Sequence, residues 1–237
     1  MGQAIGRIEI LPDPLALAHH VAKWMTQAAL AAEGSFRVSL SGGSTPKTLY
    51  GLLASDEFRD RFPCQLVSWY WADERFIPHD HPVLAKTPVP PENFILFRPT
   101  AGPKLRRGGT SGHCRRPTAR RRSIRSARFS IHAARPRSRW SPPRLLPGEP
   151  ALNERKRWVA AVSHGRPEVR ITMTYPAIES SRRVAFLVAG EEKAAVFSAI
   201  HAGNSQVPAA RGQPVGELLW FVDQAAAGEG DARGRAQ

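Results

Sequence analysis

An α/β fold built on a mostly parallel sheet is predicted by three features of this chain. Residues 36–53 read as a strand, a glycine turn and a helix. Residues 184–190, Val-Ala-Phe-Leu-Val-Ala-Gly, form an unbroken apolar run of the kind buried on both faces of a parallel sheet. Strand-like and helix-like patterns alternate on either side of these segments, as crossover units require. The length, 237 residues with 42% hydrophobic side chains, suits one α/β domain or two small ones.

In chain order, Ala16 to Ala32 is predicted as an amphipathic helix, with Leu17, Val21, Trp24, Ala28 and Ala31 at helical spacing and Gly34 as its stop. Phe36, Val38 and Leu40 alternate with polar residues in a short strand, followed by a helix from Thr45 to about Leu53. Gln65–Trp71 is rich in β-branched and aromatic residues and reads as a second strand. It runs directly into an Asp73-Glu-Arg turn, at the end of the sheet where ligands bind in open α/β folds. Phe94–Phe97 reads as another short strand, and regular patterning is then lost until Leu145. Beyond Trp158 the expected elements are a strand at Arg170–Thr174, a turn and short helix at Tyr175–Ser181, the apolar strand, and a helix at Glu191–His201. That helix should turn Ala194, Ala195, Val196, Phe197 and Ile200 inward. Glu217–Asp223 is an apolar run that fits a strand or a short helix. The tail from Ala225 is polar and glycine-rich and is expected to fray.

The glycine turn carries the chemistry. Gly42 and Gly43 accept positive φ and present no Cβ to a ligand. Ser44 or Thr45 can cap the following helix, and Pro46 suits its first turn. Helix-start N–H groups and the helix dipole together favour an anion, above all a phosphate, and Lys47 adds a full positive charge. The glycine spacing fits neither a Walker A loop nor a dinucleotide fingerprint. The same pattern also suits a plain strand-to-helix turn.

The net charge of +14 is confined to one segment. Between Pro99 and Gly148 there are thirteen Arg, one Lys and no acidic residue, so the rest of the chain balances 20 basic with 20 acidic residues. Only Phe129 and Trp140 are aromatic there, too few for the stacking that single-stranded nucleic-acid binders use. The segment 99–144 is therefore expected to be a disordered basic stretch that touches nucleic acid only nonspecifically. Cys64 and Cys114 show neither a disulfide framework nor metal spacing. There is no apolar run of membrane-spanning length and no leader pattern at the start, so a cytoplasmic protein with no membrane partner is expected.

Five segments together resemble the 6-phosphogluconolactonase family: Leu40–Lys47, Trp71–Pro78, Arg170–Pro176, Val188–Ala194 and Pro214–Phe221. The resemblance spans roughly residues 1–98 and 145–225; sugar-phosphate isomerases and deaminases share the fold and some of the motifs. It implies a single doubly wound α/β domain, with helices on both faces of the sheet, that hydrolyses 6-phosphogluconolactone to 6-phosphogluconate in the oxidative pentose phosphate pathway. The implied partner is a small sugar phosphate, and no metal or organic cofactor is required. Carried over by position, Gly42, Gly43, Ser44, Thr45 and Lys47 form the loop at the ligand. Arg75 binds phosphate, and Asp73 orients or polarises near the ring. Arg170 and Lys193 are further phosphate candidates, although each also reads as a surface cation. His79 and His81 read as ordinary loop residues.

Two departures from the family pattern stand out. His81-Pro82 runs straight into Val83–Lys86, where the family continues with an Asp-Ser-Asn segment and a helix. The family motif Gly-Pro-Asp-Gly-His-Thr-Ala-Ser, whose His is the expected general base, should precede Leu145–Gly148. The corresponding residues are Arg137–Arg144, which put Ser141 at the His position and Arg139 at the Asp position. A lone serine hydroxyl is a poor base near neutral pH. No catalytic base is therefore intact, with Asp73 left in a supporting role; His113, His132 and His164 lack the glycine-rich context of the family His.

The codons of Ile131–Ser141 can be chosen so that, from the second base of the His132 codon, they read Met-Leu-Leu-Gly-Leu-Gly-Pro-Asp-Gly and then a codon beginning CA. That is the family strand and catalytic loop. Residues 99–144 thus read as a frameshift product, from a genomic lesion or a sequencing error, and the sheet is expected to lack a central strand and to fold poorly.

Overall fold

The computed structural model of this protein describes residues 6–33, 36–75, 94–95, 127–133, 148–162, 169–203 and 207–228. Ten strands and five α-helices are placed among them: β1 Arg7–Leu11, α1 Pro14–Leu30, β2 Phe36–Leu40, α2 Ser44–Leu53, β3 Val67–Trp71, β4 Asp73–Arg75, β5 Phe94–Ile95, β6 Ala127–Ala133, β7 Val159–Val162, β8 Arg170–Met173, α3 Tyr175–Glu179, β9 Arg183–Val188, α4 Ala194–His201, β10 Glu217–Asp223 and α5 Gln224–Ala227.

Seven strands form one sheet in the order β1-β10-β9-β6-β2-β3-β5, and every pairing in it is parallel. Strands β9 and β10 are apolar on both faces, and their alternate residues feed two separate cores. On one face Ala185, Leu187, Leu219 and Phe221 pack with Phe36, Val38 and the buried side of α1 and α2. On the other, Val184, Phe186, Val188, Trp220 and Val222 pack with Tyr175 and Ile178 of α3 and with Phe197 and Ile200 of α4. Helices therefore cover both faces, as the family resemblance implies for a doubly wound domain.

The strand Val184–Gly190 is seen as β9, and the ambiguous run at 217–223 is a strand. Its register against β9 leaves each side chain of Leu219–Val222 facing one of the two cores, which a helix could not do. The predicted helix at 191–201 divides into a 3-10 turn, Glu191–Lys193, and α4; Ala195 is exposed, and Phe197 and Ile200 provide the inward anchors. In the first helix Asp13 caps the N-terminus by accepting from the N–H groups of Leu15 and Ala16, both at 2.8 Å. The helix thus begins at Pro14, two residues before the predicted start, and Ala31 lies past its end.

A second, three-stranded antiparallel sheet, β4-β8-β7, was not foreseen. The Asp73–Arg75 stretch read as a turn is its edge strand. Three residues are too few for periodicity to register them.

The expectation of a missing central strand is corrected. Ala127–Ala133, inside the basic segment, forms β6 in the middle of the sheet, in register with both β2 and β9. In that stretch Phe129 and Ile131 alternate with Arg128, Ser130 and His132, a period-2 pattern compatible with a strand whatever its origin. The rest of 99–144, with Ser141, Arg139, His113 and Cys114, lies outside the described residues. So do His79, His81, His164 and the 83–86 segment. Among the described residues no helix is long and apolar enough to cross a membrane.

Leu187 is fully buried in the α1/α2-side core. Leu187→Ala is expected to cost about 2–5 kcal/mol. Urea titration checks this: the midpoint should fall with the slope unchanged.

Candidate active site

The chain order fixes where a ligand crevice can open. From β2 the chain steps outward to β3 and β5; from β6 it steps the other way, to β9 and β10. The switch point therefore lies between β2 and β6, and the crevice outside their carboxyl ends is the binding position of such sheets. The glycine turn leaves the sheet at that point.

Gly42, Gly43 and Ser44 are exposed there, Thr45 is half-buried and Lys47 is exposed on the first turn of α2. A Cβ added at Gly42 would meet nothing within 4 Å. Gly43 has φ +138°, outside the usual range of residues with side chains. The predicted cap is corrected: Gly43 itself occupies the N-cap position, and no side chain caps the helix.

Two backbone hydrogen bonds carry the small sheet to this loop. Ala72 N–H donates to Leu40 O at 2.8 Å, and Met173 N–H donates to Ala72 O at 2.9 Å. Ser39 Oγ also donates to Met173 Sδ at 3.0 Å. Asp73, one residue past Ala72, is thereby set beside the end of β2. Its carboxylate lies 3.7 Å from the Arg170 guanidinium, with side chains 7% and 15% exposed respectively. Arg170 is thus an interior cation and not the surface residue that was the other reading. In the antiparallel ladder Arg75 stands directly opposite Arg170.

Lys193 is also interior, with its side chain 4% exposed, and it pairs with Glu192. That hydrogen bond is the main reason the Glu192 carboxyl titrates below its ordinary range. Lys193 follows β9, which lies two strands from β2 in the sheet order. The loop that carries it is held by Asp223. Both carboxylate oxygens accept from Gly190 N–H, at 3.1 and 2.9 Å, and one also accepts from Ala226 N–H at 2.7 Å. Gly190 has φ +97°.

Sequence reasoning missed two supporting residues. Asp223 ends an apolar run and precedes Gln224-Ala-Ala-Ala, which is an N-cap signal that the strand-or-helix ambiguity concealed. Tyr50 lies in the interior of α2, and its hydroxyl donates to Ser41 O at 2.8 Å. Nothing in the periodicity singles it out.

Asp223 is 1% exposed, so Asp223→Ala leaves the Gly190 and Ala226 N–H groups facing a dry gap. A loss of about 2–5 kcal/mol is expected. Denaturant titration would measure it, and amide exchange at Gly190 should accelerate along with it.

A family model described as glucosamine-6-phosphate isomerases/6-phosphogluconolactonase matches residues 12–87 and 144–220. A 6-phosphogluconolactonase of a Nostoc species is 31% identical over 250 residues, covering 94% of this chain and 97% of its own. The human 6-phosphogluconolactonase is 31% identical, covering 90% and 87%. Among solved structures, 6-phosphogluconolactonase from Leishmania guyanensis superposes with a TM-score of 0.69 at 19% identity over 95% of this chain and 98% of that one. A monomeric glucosamine-6-phosphate deaminase gives 0.69 at 16% identity, over 94% and 99%. With the parallel sheet, the glycine loop at its switch point and these matches along both halves, the chain belongs to the glucosamine-6-phosphate isomerase/6-phosphogluconolactonase family.

Proposed function

We propose that this fold is built to bind 6-phospho-D-glucono-1,5-lactone and hydrolyse it to 6-phospho-D-gluconate, in the oxidative pentose phosphate pathway and in the cytoplasm. What carries the assignment of the site is the meeting of the exposed Gly42–Lys47 loop with the Asp73–Arg170 pair at the sheet's switch point. The relatives that are about 31% identical over most of the chain support the reaction.

In hydrolysis, water adds to the lactone carbonyl, the ring C–O bond breaks, and the proton lost by water reaches the departing ring oxygen. The substrate phosphate is far from this carbon, so it serves as a handle that fixes the ring. Gly42, Gly43, Ser44, Thr45 and Lys47 supply helix-start N–H groups and charge for that handle. Arg75, opposite Arg170 in the ladder, and the buried Lys193 are further cations for it. Asp73 holds Arg170 by its ion pair and orients the sugar. No cofactor takes part.

The base that removes the water proton is the missing part. The family position for it is Ser141, and a serine hydroxyl does not accept that proton at neutral pH. The literal chain is therefore read as a sugar-phosphate binder with impaired hydrolysis, its segment 99–144 a frameshift product with a nonspecific affinity for polyanions. The family match supports this, since it stops at residue 87 and resumes at 144, on either side of the arginine run. An isomerase or deaminase activity is the second reading, supported by the deaminase with the same fold.

The experiment measures binding and turnover separately. The chain is expected to bind 6-phosphogluconate, with Lys47→Ala weakening it about 10-fold or more. Lactone opening is expected near the spontaneous rate. Replacing the codons from His132 onward by the shifted reading, through a His at position 141, should restore it. An enzymatic rate in the literal chain would refute the impairment, and failure to bind 6-phosphogluconate would refute the site.

A further inference from the structure

We infer that Tyr50 is a positioning residue of the glycine loop, fixing the direction in which the Gly42 N–H points and so the loop's affinity for a phosphate. The inference rests on the binding site proposed above and deepens it.

Ser41 is the last buried residue before the loop; Gly42, Gly43 and Ser44 beyond it are exposed. The carbonyl of Ser41 accepts the Tyr50 hydroxyl at 2.8 Å. No peptide bond among the described residues is cis. In a trans peptide the carbonyl and the following N–H point in opposite directions in one plane. Holding Ser41 C=O against α2 therefore turns Gly42 N–H away from that helix, at a residue where an added Cβ would meet nothing within 4 Å. Glycines have no rotational preference of their own to fix this plane. The tether does so from a rigid point, because Tyr50 sits between buried Leu49 and Leu53 on a helix that begins at the loop.

The phenol is suited to a permanent donor role. Burial, and after it the Asp73 carboxylate, hold its ionisation well above the usual tyrosine range. It thus donates throughout the pH range in which a sugar phosphate carries its charge.

The test compares wild type with Tyr50→Phe, which keeps the ring and removes the hydroxyl. Affinities for 6-phosphogluconate and for unphosphorylated gluconate are measured by titration calorimetry well below the melting temperature. The phosphorylated ligand is expected to weaken about 3- to 10-fold, the range that one net hydrogen bond supports, with no change in any affinity for gluconate. Equal binding of 6-phosphogluconate by both proteins would overturn the positioning role while leaving the site intact. A wild type that does not bind it would overturn both. A lowered melting temperature with unchanged affinity would mean a purely structural tyrosine and also overturn the role. Should the variant not fold, the wild-type amide resonance of Gly42 decides: it should move on addition of inorganic phosphate, and a resonance that stays still refutes the inference.

Discussion

The functional end of this molecule depends on one residue's peptide groups. Ala72 is fully buried, and it donates to the last carbonyl of β2 while accepting from Met173 in β8. These two bonds dock a small antiparallel sheet onto the edge where the large parallel sheet changes direction. Without them the chain leaving β3 would have no fixed path, and β4 and β8 would have no defined place relative to the glycine loop. Neither bond involves a side chain, so the junction tolerates many residues at 72, within the limit set by its complete burial.

The junction brings charge into the protein, which is costly unless it is paired. Arg170 and Asp73 meet inside the small sheet, and Lys193 meets Glu192 beside β9. Both pairs belong to the balanced part of the chain and owe nothing to the arginine run at 99–144. The chain's large positive charge and its charged site are separate matters: one is a feature of composition along the sequence, the other of a few side chains placed by the fold. A pI near 11.0 thus says little about what this site binds.

The large elements were legible because their physics is local. Apolar alternation identified β2, an unbroken apolar run β9, helical spacing α1, and the glycine pair located the loop. What escaped was fixed by contacts between distant segments. Asp73–Arg75 is a strand only because Arg170–Met173 lies alongside it. Lys193 and Arg170 read equally as surface cations because burial is a property of the assembled sheet. The cap at Ser44 or Thr45 failed because Gly43 takes a backbone geometry that no propensity scale encodes. The central strand was discounted because residues 99–144 read as a frameshift product, and the alternation of Phe129 and Ile131 inside them went unread. Strand formation there draws on two neighbours, β2 and β9, and a central slot with a partner on each side overrides weak local preference.

The position of β10 has a consequence for how the chain is made. The strand nearest the carboxyl terminus, Glu217–Asp223, is inserted between β1 and β9, and β1 pairs with it alone among the described strands. During synthesis β1 must wait for the much later β10 before it gains this ladder partner. Until then the Val184–Val188 edge also stands open. Nascent and prematurely ended chains therefore expose a flat, oily strand margin, the kind of surface through which unfinished proteins adhere to one another.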